Sequence, residues 1–282
     1  MEKKPMHPFK VFVEEHFTDD TVIPLPSELE RVWGGSFRIV APQKDRTRVL
    51  ANFVKTTDGR ISYAEVGRAE GRHISESNLH DRFTMALVRT ISGATFTGAN
   101  TLRAESSHLW TPEYICSEYA DAFKELRTSL HLPNVYTTIF LTRSGSIVSE
   151  AKVYKQPQSK SRVIIITTPE GATQVDPKVR EYAQVEVMTS AHFEKEMLSL
   201  LLTRYGITTA LCEGPAVFGS LLAKKLVDEL FLTVSPKLIG GNKGKRPGLL
   251  EGTAFSFEDS PHLSIASERA LGEYRYFRYR FT

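Results

Sequence analysis

The chain has 282 residues, of which 41% are hydrophobic and 24% charged, with a formal net charge of +3 at pH 7. This allows one large or two modest globular domains without a disulfide or metal staple, and so small a charge argues against a nucleic-acid partner while leaving anionic small molecules open. The two cysteines, Cys116 and Cys212, offer neither a disulfide framework nor paired zinc spacing, so a reducing, cytoplasmic setting is expected.

The first residues, "MEKKPMHPFKVF", are charged and lack the apolar core of a secretory signal. No apolar run reaches the roughly 20 residues that span a bilayer, so no membrane is expected. Residues 1–47 carry Pro5, Pro8, Pro24, Pro26 and a Gly34-Gly35 pair, and read as a peripheral extension with one short helix at "PSELERVW". From Arg48 the rhythm changes. "RVLANFVK" reads as a strand that stops at the turn "TTDGR". "ESNLHDRFTMALVRTIS" has apolar residues at helical spacing, and Glu76 or Ser77 can start it. A short strand "GATFTG" and a helix "EYADAFKELRTSL" follow. "VYTTIFLT", "RVIIITT" and "AQVEVM" read as buried strands, the second almost wholly β-branched. "HFEKEMLSLLLTRYG" is an amphipathic helix closed by Gly206. Strand "TTALC", helix "AVFGSLLAKKL" and strand "DELFLTVSP" come next. "HLSIASERAL" and "EYRYFRYRF", separated by Gly272 and Glu273, read as an antiparallel hairpin. The alternation predicts an α/β fold with a mostly parallel, mixed sheet.

Three loops are candidates for chemistry. In "LCEGPAVFGSLL" an apolar strand meets Glu213, Gly214 and Pro215, and a helix begins at once. Backbone N–H groups at such a helix start suit a phosphate or diphosphate, and Gly219 and Ser220 keep the helix face thin. A tight connection without a ligand is the competing reading. "TGANTLRAE" (97–105) reads as a second polar loop at a strand's C-terminal edge, where open α/β sheets bind ligands. Asp58-Gly59 in "TTDGRIS" is a good turn pair. Arg89, late in its helix, suits either a phosphate or the helix C-terminus. The eight histidines show no metal-ligand spacing, and most read as surface residues. No metal is proposed. The basic loop 240–248 reads as solvated or as contacting an anionic ligand.

In this order, "TTDGRIS", the helix ending "LVRT", "GATFTGANTLRAE" and "CEGPAVFGSLLAKKLVDELFLTVSPKLIGG" resemble the reductase domain of riboflavin biosynthesis, the C-terminal half of the bifunctional deaminase–reductase. The resemblance covers residues 48–282 and implies a dihydrofolate-reductase-like three-layer fold. It implies reduction of 5-amino-6-(5-phosphoribosylamino)uracil by NADPH, and a homodimer, with the aromatic C-terminal strands either an interface or a half-buried sheet edge. It places Val54, His73, Thr101 and Glu105 at cofactor-contacting positions, and Gly214, Pro215, Ala216, Val217, Phe218, Gly219 and Ser220 around the cofactor diphosphate. Arg143, Ser144 and Thr168 are candidate donors to its 2′-phosphate. Asp58, Arg89, Leu109 and Glu213 fall on the substrate side.

The chain departs from the family at three points. The family reads E-G-G-P or E-A-G-P where this chain has Glu213-Gly214-Pro215. A one-residue deletion puts Glu213 at the substrate-side acid, and an ungapped count puts Cys212 there. D-D-P is replaced by Glu105-Ser106-Ser107, and a substrate-side arginine by Pro112. With no H-x-E and P-C-x-x-C zinc-deaminase pattern, a stand-alone reductase is expected. The alternatives are a paralogous reductase acting on another small heterocycle or carbonyl, and a ligand-binding protein that has lost turnover.

Overall fold

The computed structural model describes residues 6–189, 192–241 and 246–281. In chain order the strands are β1 (Lys10–Glu14), β2 (Asp20–Ile23), β3 (Phe37–Val40), β4 (Arg48–Thr56), β5 (Ala94–Gly98) and β6 (Tyr136–Leu141), then β7 (Ser161–Thr167), β8 (Ala183–Val187), β9 (Thr209–Cys212), β10 (Glu229–Ser235), β11 (Leu263–Leu271) and β12 (Tyr274–Phe281). The helices are α1 (Ser27–Trp33), α2 (Leu79–Ile91), α3 (Ala99–Ala104), α4 (Pro112–Ile115), α5 (Ala120–Ser129), α6 (Pro169–Gln174), α7 (Pro177–Arg180), α8 (Phe193–Thr203) and α9 (Pro215–Ala223).

Ten strands form one sheet in the order β1-β11-β12-β10-β4-β9-β5-β6-β7-β8. The pairs from β10 to β8 are parallel, and those joining β1, β11, β12 and β10 are antiparallel. The expected mixed α/β fold is therefore present. Alternation within single strands explains why both faces are covered. In β7, Ile164 and Ile166 enter one core with α8 and α9, while Val163 and Ile165 enter another with Trp110, Val175 and Val179. In β4, Leu50 joins Phe83, Leu87 and Phe123 from α2 and α5, whereas Val49, Ala51 and Phe53 face Leu198 and Phe218.

The N-terminal residues are not peripheral. Met6, Phe9, Leu29, Val32, Trp33, Phe37 and Ile39 are all buried in the α2–α5 core. β1 forms an edge of the main sheet on β11, and β2 and β3 make a separate pair. The helix at Ser27–Trp33 is where the sequence places it, but three short strands around it were hidden by prolines and by weak alternation. The aromatic strand β12 is not an edge strand, because it lies between β10 and β11. The polar loop expected after Gly98 is instead helix α3. Glu76 and Ser77 do not start α2: both take positive φ (53° and 57°), and the helix begins after Asn78, whose side chain accepts from the His80 and Asp81 N–H groups at 2.9 and 3.1 Å. His80 is buried, unlike the surface position expected of most histidines, and Asp81 beside it is buried too. The basic loop expected at 240–248 lies partly outside the described residues.

Candidate functional site

The parallel strands β4, β9 and β5 all end on one side of the sheet, and a cavity of about 540 Å³ opens there. Val54 reaches it from β4, Thr101 from α3, Glu105 from the end of α3, and Glu213 and Pro215 from the β9–α9 turn. Arg82, Met85 and Arg89 reach it from α2. Their spacing of three and four residues puts them on one helix face.

Arg89 and Glu213 form the centre. The guanidinium donates through Nε to Glu213 Oε1 at 2.8 Å and through Nη2 to Oε2 at 2.7 Å. Their side chains are only 2% and 9% exposed, so this is a bidentate pair in a low-dielectric setting. Nη2 also approaches His108 Nε2 at 3.1 Å, and Nη1 donates at 3.4 Å to the carbonyls of Leu109 and Thr111. Every Arg89 nitrogen thus has a partner within the chain. Cys212 and Glu213 point to different places. Cys212 is fully buried in the α8–α9 core, with its Sγ 3.6 Å from the Gly214 carbonyl. Burial raises its thiol far above the usual range. Glu213, one residue on, faces the cavity.

Beyond Arg89 the network continues to Glu105. Arginine only donates, so the Nε2 of His108 that faces it accepts, and the imidazole proton sits on Nδ1. That nitrogen lies 3.7 Å from Glu105 Oε2. Burial, then the positive charges of Arg89, Arg72 and Lys152, push the His108 pKa down to about 2, and the ring is neutral. Burial, then Glu70 and Glu213, push Glu105 up to about 7 against the opposing pull of Arg89 and Arg72. The cavity therefore holds a carboxyl that keeps its proton near neutrality.

Two glycine turns stand side by side at the cavity's edge. Gly98 starts α3 and Gly214 starts α9, and neither helix has a side-chain cap. A Cβ on Gly214 would lie 2.9 Å from the Gly98 nitrogen and 3.0 Å from Thr97 Oγ1, so only glycine permits this approach. Thr97 Oγ1 is buried without a partner. Uncapped first-turn N–H groups beside an unpaired hydroxyl fit the diphosphate of a nicotinamide dinucleotide.

Of the residues singled out in the sequence, Val54, Arg89, Thr101, Glu105, Glu213 and Pro215 line this cavity. The others do not line it. Asp58 accepts from Thr56 Oγ1 at 2.5 Å and from the Gly240 N–H at 2.7 Å, so it ties the β4 turn to the segment after β10. Leu109 reaches the site only through its carbonyl. His73 lies in a 3₁₀ turn, with its Nε2 buried and unpartnered. Arg143 and Ser144 are exposed just after β6, and Thr168 caps α6. The expectation that Ala216–Ser220 wraps a diphosphate narrows to backbone groups of the first turn. Phe218 is buried against Phe53, and Ser220 donates to Glu194 Oε1. A Cβ on Gly219 would meet Thr253 Oγ1 at 2.8 Å, so that glycine makes room for the chain's own loop. Sequence reasoning missed His108, three residues after Glu105, and Arg82, seven before Arg89. Helical spacing from Arg89 was the available signal for Arg82.

A cavity at the C-terminal edge of a parallel sheet, with two glycine turns beside it, is where α/β folds hold their ligands. Residues 47–273 match the family model described as the RibD C-terminal domain, and the chain belongs to that family. Solved structures share the fold. RibD from Acinetobacter baumannii aligns with a TM-score of 0.59 at 19% identity, covering 85% of this chain and 59% of that one. A pyrimidine reductase-like protein from Corynebacterium diphtheriae aligns at 0.66 and 17%, covering 84% and 93%. Riboflavin biosynthesis reductase Rib7 from Saccharomyces cerevisiae aligns at 0.58 and 12%, covering 85% and 92%. The chain thus spans 59% of the RibD chain it matches. No curated protein matches the sequence. Among the described residues no helix is long and apolar enough to cross a membrane.

Proposed function

We propose that this protein is an NADPH-dependent reductase that converts 5-amino-6-(5-phosphoribosylamino)uracil to its ribitylamino product. The observation that carries the proposal is the Glu213–Arg89–His108–Glu105 network in a cavity bordered by two uncapped glycine turns. Family membership and the likeness to a riboflavin biosynthesis reductase support it. When bound, NADPH supplies a hydride for C1′ of the ribose. The first-turn N–H groups after Gly214, with Thr97, are proposed to hold its diphosphate, and Arg143 and Ser144 its 2′-phosphate end. Val54, Thr101 and Pro215 shape the cavity wall and exclude water. Glu213, fixed by Arg89, presents its carboxylate to the donors of the pyrimidine. Glu105 holds a proton for ring oxygen O4′, which takes the electron pair as the C1′–O4′ bond opens.

A second reading, a reductase of another small heterocycle or carbonyl, is favoured by the use of every Arg89 donor within the chain and by Pro112 at the family's second arginine position. Incubation with NADPH and the phosphoribosylaminouracil tests the first reading. Loss of the reduced-nicotinamide absorbance, in proportion to ribitylamino product, is expected. NADPH binding without turnover of this pyrimidine leaves the second. We further propose a homodimer built on the sheet face that carries Phe277, Tyr279 and Phe281 together with exposed Leu263 and Ile265. Sedimentation at micromolar concentration tests it, and a monomer there refutes it.

A further inference from the structure

The cavity is lined by three arginines, and they are not equivalent. Arg89 is used up by Glu213, His108 and two carbonyls. Arg72 pairs with Glu70 through Nε at 2.8 Å and Nη2 at 3.1 Å. Arg82 differs. Its Nε donates to the Ile115 carbonyl at 2.6 Å, which fixes the plane of the guanidinium. Among the described residues its Nη1 and Nη2 have no partner, and it forms no ion pair. A tethered guanidinium with both terminal nitrogens free presents a preformed fork for a phosphate monoester.

The spacing fits as well. Arg82 and Arg89 lie seven residues apart on one face of α2, about 10 Å along the axis. Seven bonds by way of O4′ separate pyrimidine C6 from the phosphorus in the closed substrate, and eight once C1′–O4′ has opened, a reach of about 9–10 Å at ordinary bond lengths. Glu213 sits on Arg89, so a pyrimidine held there with its chain laid along α2 would have the reach to put its phosphate at Arg82. Met85, and Tyr114 next to the Ile115 that holds Arg82, line the same cavity.

We infer that Arg82, and not Arg89, binds the terminal phosphate of the substrate and sets the preference for a phosphorylated ribosyl group. Arg89 becomes a positioning residue that acts through Glu213. The inference rests on the reductase reading for the identity of the pyrimidine, but not for the phosphate contact.

The test uses the full chain, with 5-amino-6-(5-phosphoribosylamino)uracil and its dephosphorylated riboside as alternative substrates. Arg82→Gln is expected to raise KM for the phosphorylated compound about 10- to 100-fold. KM for the riboside and for NADPH should stay near wild type, and Arg82→Lys should recover part of the loss. Titration with ribose 5-phosphate should show binding in the wild type that Arg82→Gln abolishes. An unchanged phosphate preference in Arg82→Gln, or a rise in NADPH KM with none for the phosphorylated substrate, overturns the inference. If Arg82→Gln does not fold, wild type that fails to prefer the phosphorylated compound overturns it equally. If wild type reduces neither pyrimidine, the reductase reading fails, and the ribose 5-phosphate titration decides alone. Binding that depends on Arg82 upholds the subsite, and absence of binding removes it.

Discussion

At the scale of single residues, the site turns on one buried ion pair. Arg89 and Glu213 are both nearly inaccessible, so removing one charge strands the other. Breaking such a pair typically costs about 3–5 kcal/mol. Glu213→Gln is therefore expected to lower stability in urea by about 3 kcal/mol and to cut kcat/KM about 100-fold. Cys212→Ala loses only packing, about 1–2 kcal/mol, and should keep kcat/KM close to wild type. If the cysteine variant lost turnover and the glutamine variant kept it, the two roles would have to be exchanged. Glu105 carries a separate prediction. Its carboxyl titrates near 7 because burial, Glu70 and Glu213 disfavour the anion, and the proposed role needs the protonated form. So kcat/KM should fall about tenfold per pH unit above ~7, and Glu105→Gln should lack that limb. A wild-type profile flat from pH 6 to 9 would exclude Glu105 as the proton source.

At the scale of elements, the β5–α3 and β9–α9 turns work as a unit because both start with glycine and touch. Gly214→Ala forces a Cβ to 2.9 Å from the Gly98 nitrogen, against backbone that cannot swing aside. It is expected to cost about 1–3 kcal/mol of stability and to raise KM for NADPH about tenfold or more. Gly219→Ala meets Thr253 and Glu251 instead, and should destabilise the fold with a smaller effect on cofactor KM. Equal effects of the two on cofactor binding would mean that the first turn of α9 is not special. These turns were legible in the sequence, as were β4 to β10, because long apolar runs and glycine breaks state their type locally. Helix α3 was not, because "ANTLRA" is too short and polar to show a period. The start of α2 was displaced because Glu76 and Ser77 resemble caps in sequence but adopt positive φ. The partners of Arg89 were invisible for another reason: His108, Leu109 and Thr111 meet it through chain reversals that no local pattern records.

At the scale of the whole molecule, the N-terminal segment and the last strands close the sheet together. Residues 1–47 looked separable because prolines and a glycine pair dominate them, yet they meet the C-terminus through buried charge. Fully buried Arg278 of β12 faces Asp20 of β2 at 3.3 Å and Glu229 of β10 at 4.0 Å. Glu229 also accepts from the Val40 N–H at 2.8 Å. Burial pushes its carboxyl up to about 7, with Asp20 adding to the rise and Arg278 and Arg280 opposing it. The folded chain thus holds this proton to higher pH than the unfolded chain, whose glutamates ionise near the usual ~4.5. The contribution of Glu229 to stability should be fullest below that value, fall as pH rises toward 7, and level off above, a loss of up to about 3 kcal/mol. Glu105 contributes with the same sign. Asp19 and Asp58 are shifted downward by hydrogen bonds from Arg280 and Thr56, so their contributions are lost only in more acidic solution. Buried His108 and His80 act with the opposite sign as pH rises to the ~6.5 of an unfolded histidine, so the Glu229 effect is read as a difference between wild type and variant. Glu229→Gln keeps an acceptor for Val40 and leaves Asp20 to balance Arg278. In urea titrations the stability of wild type relative to this variant should fall by up to about 3 kcal/mol between pH 5 and 8, and the variant should be the more stable protein at pH 8. Parallel pH profiles for variant and wild type would mean that Glu229 is already ionised in the fold, and that Arg278 binds the two ends of the chain through two anions rather than one.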